Sequence, residues 1–284
     1  MEVDLHTHSI YSDGTMSPEE LANFAVSRGI KILAITDHDS IDGSKELVNL
    51  HIPNLKVYSG VELSAKIPKG EMHILGYNFD LYNQKLNRCL KELKDISIET
   101  IKLYIDQLKN DFGIILPEEE INKLLSKKGK IGRPGLALIM IKCGYIKTVS
   151  EAFDKYLNDS KVRNIKKSIT ASECIHMITE AGGIASLAHP WSLEMTNAEL
   201  YNEVRRLKEL GLAGIEVIHS NSTAEQREYY RYLAKEFNLL ETGGTDFHGL
   251  EVKPDIELGS GINNNVNIDE NTLSLTKRIK SRYK

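Results

Sequence analysis

Cysteine is scarce in this chain: of 284 residues only Cys89, Cys143 and Cys174 carry a thiol, far apart and in no CxxC pair. That spacing argues against a thiolate metal site and a disulfide framework. No apolar run approaches the roughly 20 residues that a membrane span needs. The first residues, MEVDL, already read as a strand, with no basic stretch or apolar run before them. No secretory signal is therefore expected, and the expected location is the cytoplasm. Positive charge is not in excess either, since 36 Lys and Arg against 40 Asp and Glu leave a formal net charge of −4. Without a global basic field, stable binding of long nucleic acid is not expected, although a grip on one or two terminal nucleotides stays compatible. Internal repeats and low-complexity tracts are also missing.

What is present is an ordinary globular composition, 41% apolar and 27% charged. The length suits one large α/β barrel, or a domain of about 200 residues carrying an insertion. Short apolar runs alternate with amphipathic stretches, the mark of βα units. The runs are Val3–Leu5, Ile32–Ile35, Lys56–Leu63, Met72–Tyr77, Ile184–Ala188, Gly214–Ile218 and Leu239–Glu241. A helix is expected from about Pro18 to Arg28, with Ser17 and Glu20 forming a capping box and Gly29 closing it. Others are expected from about Ser40 and over about 171–181, 196–210 and 223–236. Between Leu81 and about Lys167 the rhythm stops and only helical patterns remain. The expected fold is a distorted (β/α)7 barrel formed by 1–80 and 168–284, with a helical insertion, or cap, at 81–167. The basic C-terminal end reads as a solvated or frayed last helix.

The histidines decide where the chemistry lies. Six of nine (His6, His8, His38, His73, His189 and His248) fall at or beside the end of a predicted strand. In α/β barrels the loops after the strands converge on one rim, so residues scattered in sequence meet there. Imidazoles and carboxylates brought to one rim are a metal site by type, suiting Zn, Mn or Fe. Residues i and i+2 of a strand face the same way about 7 Å apart, so His6 and His8 can share an ion. Asp4 lies on that face one layer deeper, where supporting a ligand is more natural than being one. The link from Leu63 to Glu71 is too short for a crossover helix, so strands 3 and 4 are expected to form an antiparallel hairpin that brings Glu62 and His73 to the same rim. Asp13 and Asp246 stand nearby in sequence. His51 and His176 lack this placement and read as structural, whereas the role of His219, just after a strand end, stays open.

Asp4-Leu-His-Thr-His8, Ser12-Asp13-Gly14-Thr15, Thr36-Asp-His-Asp39, Gly60-Val-Glu62, His73-Ile-Leu-Gly-Tyr77, Ala188-His189-Pro190 and Gly243-Gly-Thr-Asp-Phe-His248 resemble, in order, the motifs of the PHP (polymerase and histidinol phosphatase) family. The resemblance covers all but much of the insertion. It is nearest to the stand-alone phosphoesterases that act on nucleoside 3′,5′-bisphosphates or trim short RNAs from the 5′ end. It implies a centre of three divalent ions. His6, His8, Glu62 and Asp246 would surround one; Glu62, His73 and His189 a second; Asp13, His38 and His248 a third. Hydroxide generated between such ions would attack phosphorus in line with the leaving alkoxide.

Asp13, His38 and Arg133 are the candidate catalytic residues, and Arg133 and His219 the candidate substrate contacts. A guanidinium binds phosphate bidentately, and Arg133 stands in Gly132-Arg-Pro-Gly135, where the family usually has Gly-Arg-Pro-His. The expected partner is therefore a phosphorylated small molecule or a short oligonucleotide. Histidinol-phosphate phosphatase and a non-catalytic metal- or partner-binding module are the competing readings. The intact set of ligands speaks against the module.

Overall fold

A computed structural model of the chain describes residues 2–126, 131–157 and 169–283. The chain forms two compact units, Met1–Arg88 with Ile169–Lys284 and Cys89–Ser168. The expected end of the insertion, near residue 167, lies outside the described residues.

The first unit is built on seven strands: β1 (Val3–Thr7), β2 (Ile32–Ile35), β3 (Lys56–Ala65), β4 (Met72–Tyr77), β5 (Ile184–Leu187), β6 (Gly214–Ile218) and β7 (Leu240–Gly243). They lie side by side in sequence order. Neighbours run parallel except at β4, which is antiparallel to both β3 and β5. The expected hairpin is therefore present, with Ser64 opposite His73. Beyond β7, Asp246 N donates to His6 O and His8 N to Phe247 O, each at 2.8 Å, and a bridge joins Thr7 to Phe247. These bonds draw the last strand's extension onto the first, and the sheet becomes a nearly closed, distorted barrel. Close approach there depends on Gly244, where a Cβ would stand 2.4 Å from His6 N.

Every residue of β1, β2 and β6 is buried, which is why these strands read as continuous apolar runs broken only by polar residues with a task. The helices, in chain order, are α1 (Pro18–Ser27), α2 (Asp42–Leu50), α3 (Gln84–Phe112), α4 (Glu118–Leu125), α5 (Arg133–Lys142), α6 (Val149–Ala152), α7 (Ala171–Glu180), α8 (Asn197–Glu209), α9 (Ala224–Glu236) and α10 (Ser274–Arg278). Ser17, Thr170, Thr196 and Thr223 start α1, α7, α8 and α9 with complete capping boxes, so orphan N–H groups at those starts are satisfied locally. Leu21, Ala25, Leu33, Ile35, Leu47 and Phe247 pack a core under α1 and α2.

Three expectations shift in detail. The helix after β2 begins at Asp42 because Thr36–Ser40 serve the rim instead. β3 runs on to Ala65, so Glu62 sits inside its strand rather than at its end. The C-terminal segment is not frayed: Tyr58 Oη donates to Ile279 O at 2.6 Å, and Leu81 N donates to Tyr283 Oη at 2.9 Å. Residues 279–283 are tied to the barrel through these bonds, while their basic side chains stay at the surface. No helix among the described residues is long and apolar enough to cross a membrane.

The second unit contains most of α3 with α4, α5, α6 and a π turn at Phe153–Leu157. It has its own core, including Tyr104, Leu108, Leu116, Leu124, Met140 and Leu157.

Candidate metal centre

Glu62 is the hub of the site. Its Oε1 lies 2.8 Å from His73 Nδ1 and 2.9 Å from His189 Nε2. Its Oε2 lies 3.3 Å from His6 Nε2, 3.2 Å from His8 Nε2 and 3.2 Å from His38 Nδ1. One buried carboxylate thus divides five imidazoles between its two oxygens. Asp246 Oδ1 stands 3.5 Å from His6 Nε2 and 3.2 Å from His8 Nε2. Asp13, half-exposed, reaches His248 Nε2 at 3.3 Å and His38 Nε2 at 3.8 Å. All nine candidate ligands are therefore brought together on one rim. They fall into overlapping groups whose ligand atoms lie close enough to share an ion: His6-His8-Asp246, His6-Glu62-His189, His38-Glu62-His73 and His8-Asp13-His38-His248.

The hydrogen-bond partners assign the imidazole tautomers. His6 Nδ1 donates to Glu216 Oε1 at 2.9 Å, and His248 Nδ1 to the Asp246 carbonyl at 2.9 Å. The Ser12 hydroxyl gives its proton to Asp37, so its oxygen accepts from His8 Nδ1 at 3.3 Å. The Ser192 hydroxyl similarly donates to a carbonyl and accepts from His189 Nδ1 at 2.8 Å. In each of these four Nδ1 is taken by an outer acceptor and Nε2 faces the carboxylates, so Nε2 is the atom that would meet an ion. Such ring orientation by an outer acceptor is the usual arrangement of metal-binding histidines. His8 Nε2 is buried without a hydrogen-bond partner, although Glu62 and Asp246 oxygens both stand 3.2 Å away. An orphaned nitrogen between two carboxylates, within a mixed imidazole–carboxylate set, fits a divalent ion of the Zn, Mn or Fe kind.

His219 is the reverse case. Its Nδ1 accepts from Asn221 N at 3.0 Å and from Trp191 Nε1 at 3.3 Å, so the proton sits on Nε2. That N–H lies 3.5 Å from Asp246 Oδ2, longer than a good hydrogen bond. His6, Glu216 and His219 also approach one another, but a protonated Nε2 makes His219 a donor rather than a ligand.

Electrostatics separate His6 and Glu62 from His219. Burial opposes charge on His6, but the carboxylates of Glu216, Glu62 and Asp246 outweigh it and raise this imidazole well above its ordinary range. Burial would push Glu62 up, yet His38, His73 and His6 hold it well below the usual carboxylate range. For His219 burial dominates and lowers the imidazole, keeping it neutral.

Several supporting residues went unassigned in the sequence. Glu216 takes His6 Nδ1 with one oxygen and His189 N, at 2.7 Å, with the other. His189 is held at φ 22. Asp37 accepts three bonds of 2.7 Å, from Ser9 N, Ser9 Oγ and Ser12 Oγ, and so shapes the loop after β1. Lys253 Nζ donates to Asp246 Oδ2 at 2.6 Å, leaving Oδ1 for the cluster. Asp4, expected from the sequence to support a ligand, accepts from His6 N, Thr245 N, Thr245 Oγ1 and Gly259 N and anchors the loop that carries Asp246. Burial raises Asp4 to about 6.

Arg133 lies in the second unit, where it donates to the Leu157 carbonyl at 3.0 Å and sits 5.0 Å from the Phe153 ring centre. Its role as a phosphate clamp rests on the resemblance alone. At Gly135 a Cβ would stand 2.5 Å from Leu124 Cδ1, so the space next to the missing imidazole is taken by leucine. His51 and His176 lie outside the cluster, bonded to Asn49 O and Ser172 Oγ.

The PHP domain model matches residues 4–241. A 5′-3′ exoribonuclease of Haemophilus influenzae is 32% identical over 250 residues, covering 86% of this chain and 89% of the relative. A 3′,5′-nucleoside bisphosphate phosphatase of Chromobacterium violaceum is 28% identical over 251 residues, covering 87% of each. Among solved structures, one assigned as a metal-dependent phosphoesterase from Bifidobacterium adolescentis aligns with a TM-score of 0.80 at 26% identity, covering 98% of this chain and 96% of that one. A match of this extent, over a rim of this composition, shows that the chain belongs to the PHP domain family.

Proposed function

We propose that this PHP-family phosphoester hydrolase acts on small nucleotides, nucleoside 3′,5′-bisphosphates or the 5′ ends of short oligonucleotides, with three divalent ions of the Mn, Fe or Zn kind. The observation that carries the reading is the division of five histidines between the two oxygens of Glu62, flanked by Asp246 and Asp13. Holding ions would fall to His6, His8, Glu62 and Asp246; to Glu62, His73 and His189; and to Asp13, His38 and His248. When bound, such ions lower the pKa of water and neutralise phosphoryl charge. The relatives named as an exoribonuclease and a bisphosphate phosphatase support the substrate class.

The chain's own residues set the rest. Glu216, Ser12, Ser192 and the Asp246 carbonyl fix the imidazole rings, so no reorientation is needed when substrate arrives. Asp13, with His38 beside it, lies at the more exposed side of the cluster, where the ion they would hold with His248 would help neutralise phosphoryl charge. His219, neutral and with its proton on Nε2, supplies a hydrogen bond without competing for an ion. Arg133 keeps the clamp role implied by the resemblance, and Arg133→Ala tests it through a raised KM for phosphate monoesters. Three free thiols suit a reducing, cytoplasmic setting.

Purified protein loaded with Mn²⁺ is expected to release phosphate from adenosine 3′,5′-bisphosphate and hardly any from histidinol phosphate. The opposite preference overturns the substrate class. No hydrolysis of a broad phosphoester panel under several metals points instead to the binding module.

A further inference from the structure

The chain has a single tryptophan, Trp191, and it stands two residues after His189 on the short 3₁₀ turn Pro190–Leu193. The residue is 37% exposed. The ring centre lies 6.0 Å from that of His189 and 5.8 Å from that of His219. The indole is anchored at one edge, because Nε1 donates to His219 Nδ1 at 3.3 Å. A tryptophan whose polar edge is satisfied inward and whose ring stays partly wet is an amphipathic surface with a fixed orientation.

The turn that carries it is itself pinned. Glu71 N donates to Ser192 O, and Ser192 Oγ donates to Glu71 O, both at 2.9 Å. Gly70, at φ +72, lets the β3–β4 link approach so closely that a Cβ would stand 2.6 Å from Ser192 O. The turn is thus tied to the β3–β4 link and the indole edge to His219, an arrangement that lowers the ordering cost of a stacking contact.

We propose that the exposed face of Trp191 is the surface on which the nucleobase of the substrate stacks. This rests on the nucleotide reading given above. Trp191 flanks His189, one of the residues that would hold an ion, with ring centres 6.0 Å apart, so a nucleotide whose phosphoryl group sat against that side of the cluster would have its base within reach of the indole. A flat heterocycle stacks on an aromatic ring regardless of base identity, and such contacts contribute substantially to nucleotide affinity. Trp191 then separates nucleotides from sugar phosphates without a base, and it does so without reading sequence.

The test compares kcat/KM for adenosine 3′,5′-bisphosphate with that for ribose 5-phosphate in the metal-loaded wild type, Trp191→Leu and Trp191→Phe. Trp191→Leu is expected to lower the ratio of the two about tenfold, the low end of what loss of one stacked base predicts, and Trp191→Phe to recover most of it. A purely structural tryptophan lowers both rates together, and an irrelevant one changes neither; an unchanged ratio in Trp191→Leu therefore overturns the proposal. A wild type with no preference for the bisphosphate overturns the nucleotide reading, and the stacking surface with it. Fluorescence gives a second readout, since all tryptophan emission comes from this ring. Adenosine 5′-phosphate is expected to quench it in the wild type more strongly than inorganic phosphate does, and equal responses would again overturn the proposal.

Discussion

Glu216 holds two members of the cluster at once, taking the Nδ1 proton of His6 at 2.9 Å and the backbone N–H of His189 at 2.7 Å. Its carboxylate is buried and, among the described residues, has no other imidazole nitrogen at hydrogen-bond distance. Replacing an outer carboxylate of this kind commonly costs about 10- to 100-fold in metal affinity. Glu216→Gln is therefore expected to weaken Mn²⁺ binding by that order, measured by calorimetric titration of the chelator-stripped protein. Unchanged affinity would mean that His6 needs no such support.

His8 and His219 look alike in sequence, each just past or within a strand end, but their tautomers set them apart. His8→Ala is expected to remove metal from the purified protein and abolish turnover. His219→Ala is expected to retain its metal and lose roughly 10- to 100-fold in kcat/KM, the range for one hydrogen bond to a charged group. Metal analysis beside kinetics distinguishes the two, and loss of metal from His219→Ala would contradict the donor role.

At Gly244, where β7 leaves the sheet, an added Cβ meets His6 N at 2.4 Å and Asp4 Oδ1 at 2.7 Å. Backbone at that distance cannot yield as a side chain can. Gly244→Ala is expected to destabilise the fold by about 1–3 kcal/mol, seen as a lower midpoint in urea. A midpoint equal to wild type would show that the barrel closes less tightly here.

Alkaline pH offers a test on groups other than the candidate ligands. Burial raises the Cys174 thiol above its ordinary value of 9.0 and, with Glu216 adding to it, the Tyr230 phenol above 10.0. The folded groups keep their protons while the unfolded ones begin to lose theirs near those ordinary values. Stability contributed by these groups is therefore full below pH 9 and falls as pH rises beyond 9 to 10. The urea midpoint of metal-free protein is expected to drop between pH 8.5 and 10.5, with a shallower slope in Cys174→Ala. An equal slope in that variant would remove the thiol from the account.

Much of this site was legible because its histidines follow apolar runs, and chain order alone places such ends on one rim. The reversed strand β4 was legible too, since the short Leu63–Glu71 link leaves no room for a crossover. The supporting residues were harder. Glu216 interrupts the apolar strand Gly214–Ile218, and a lone carboxylate in a fully buried strand was a signal that stood unread. Asp37 was hidden in a motif whose neighbours drew the chemical reading, while its own task is to bind Ser9 and Ser12. Lys253 lies in a loop with no periodicity, so nothing short of coordinates connects it to Asp246. The C-terminal segment misled by composition, because its basic side chains are solvated while its backbone is bonded to the barrel.

The most direct test of the central claim, that this rim hydrolyses phosphoesters through divalent ions, is turnover across metal removal and return. Protein stripped with a chelator and verified as metal-free is expected to release no phosphate from adenosine 3′,5′-bisphosphate, and to recover on addition of Mn²⁺. Glu62→Ala, lacking the carboxylate that joins both sides of the cluster, is expected not to recover. Continued turnover by the metal-free protein, or full recovery in Glu62→Ala, would contradict the account.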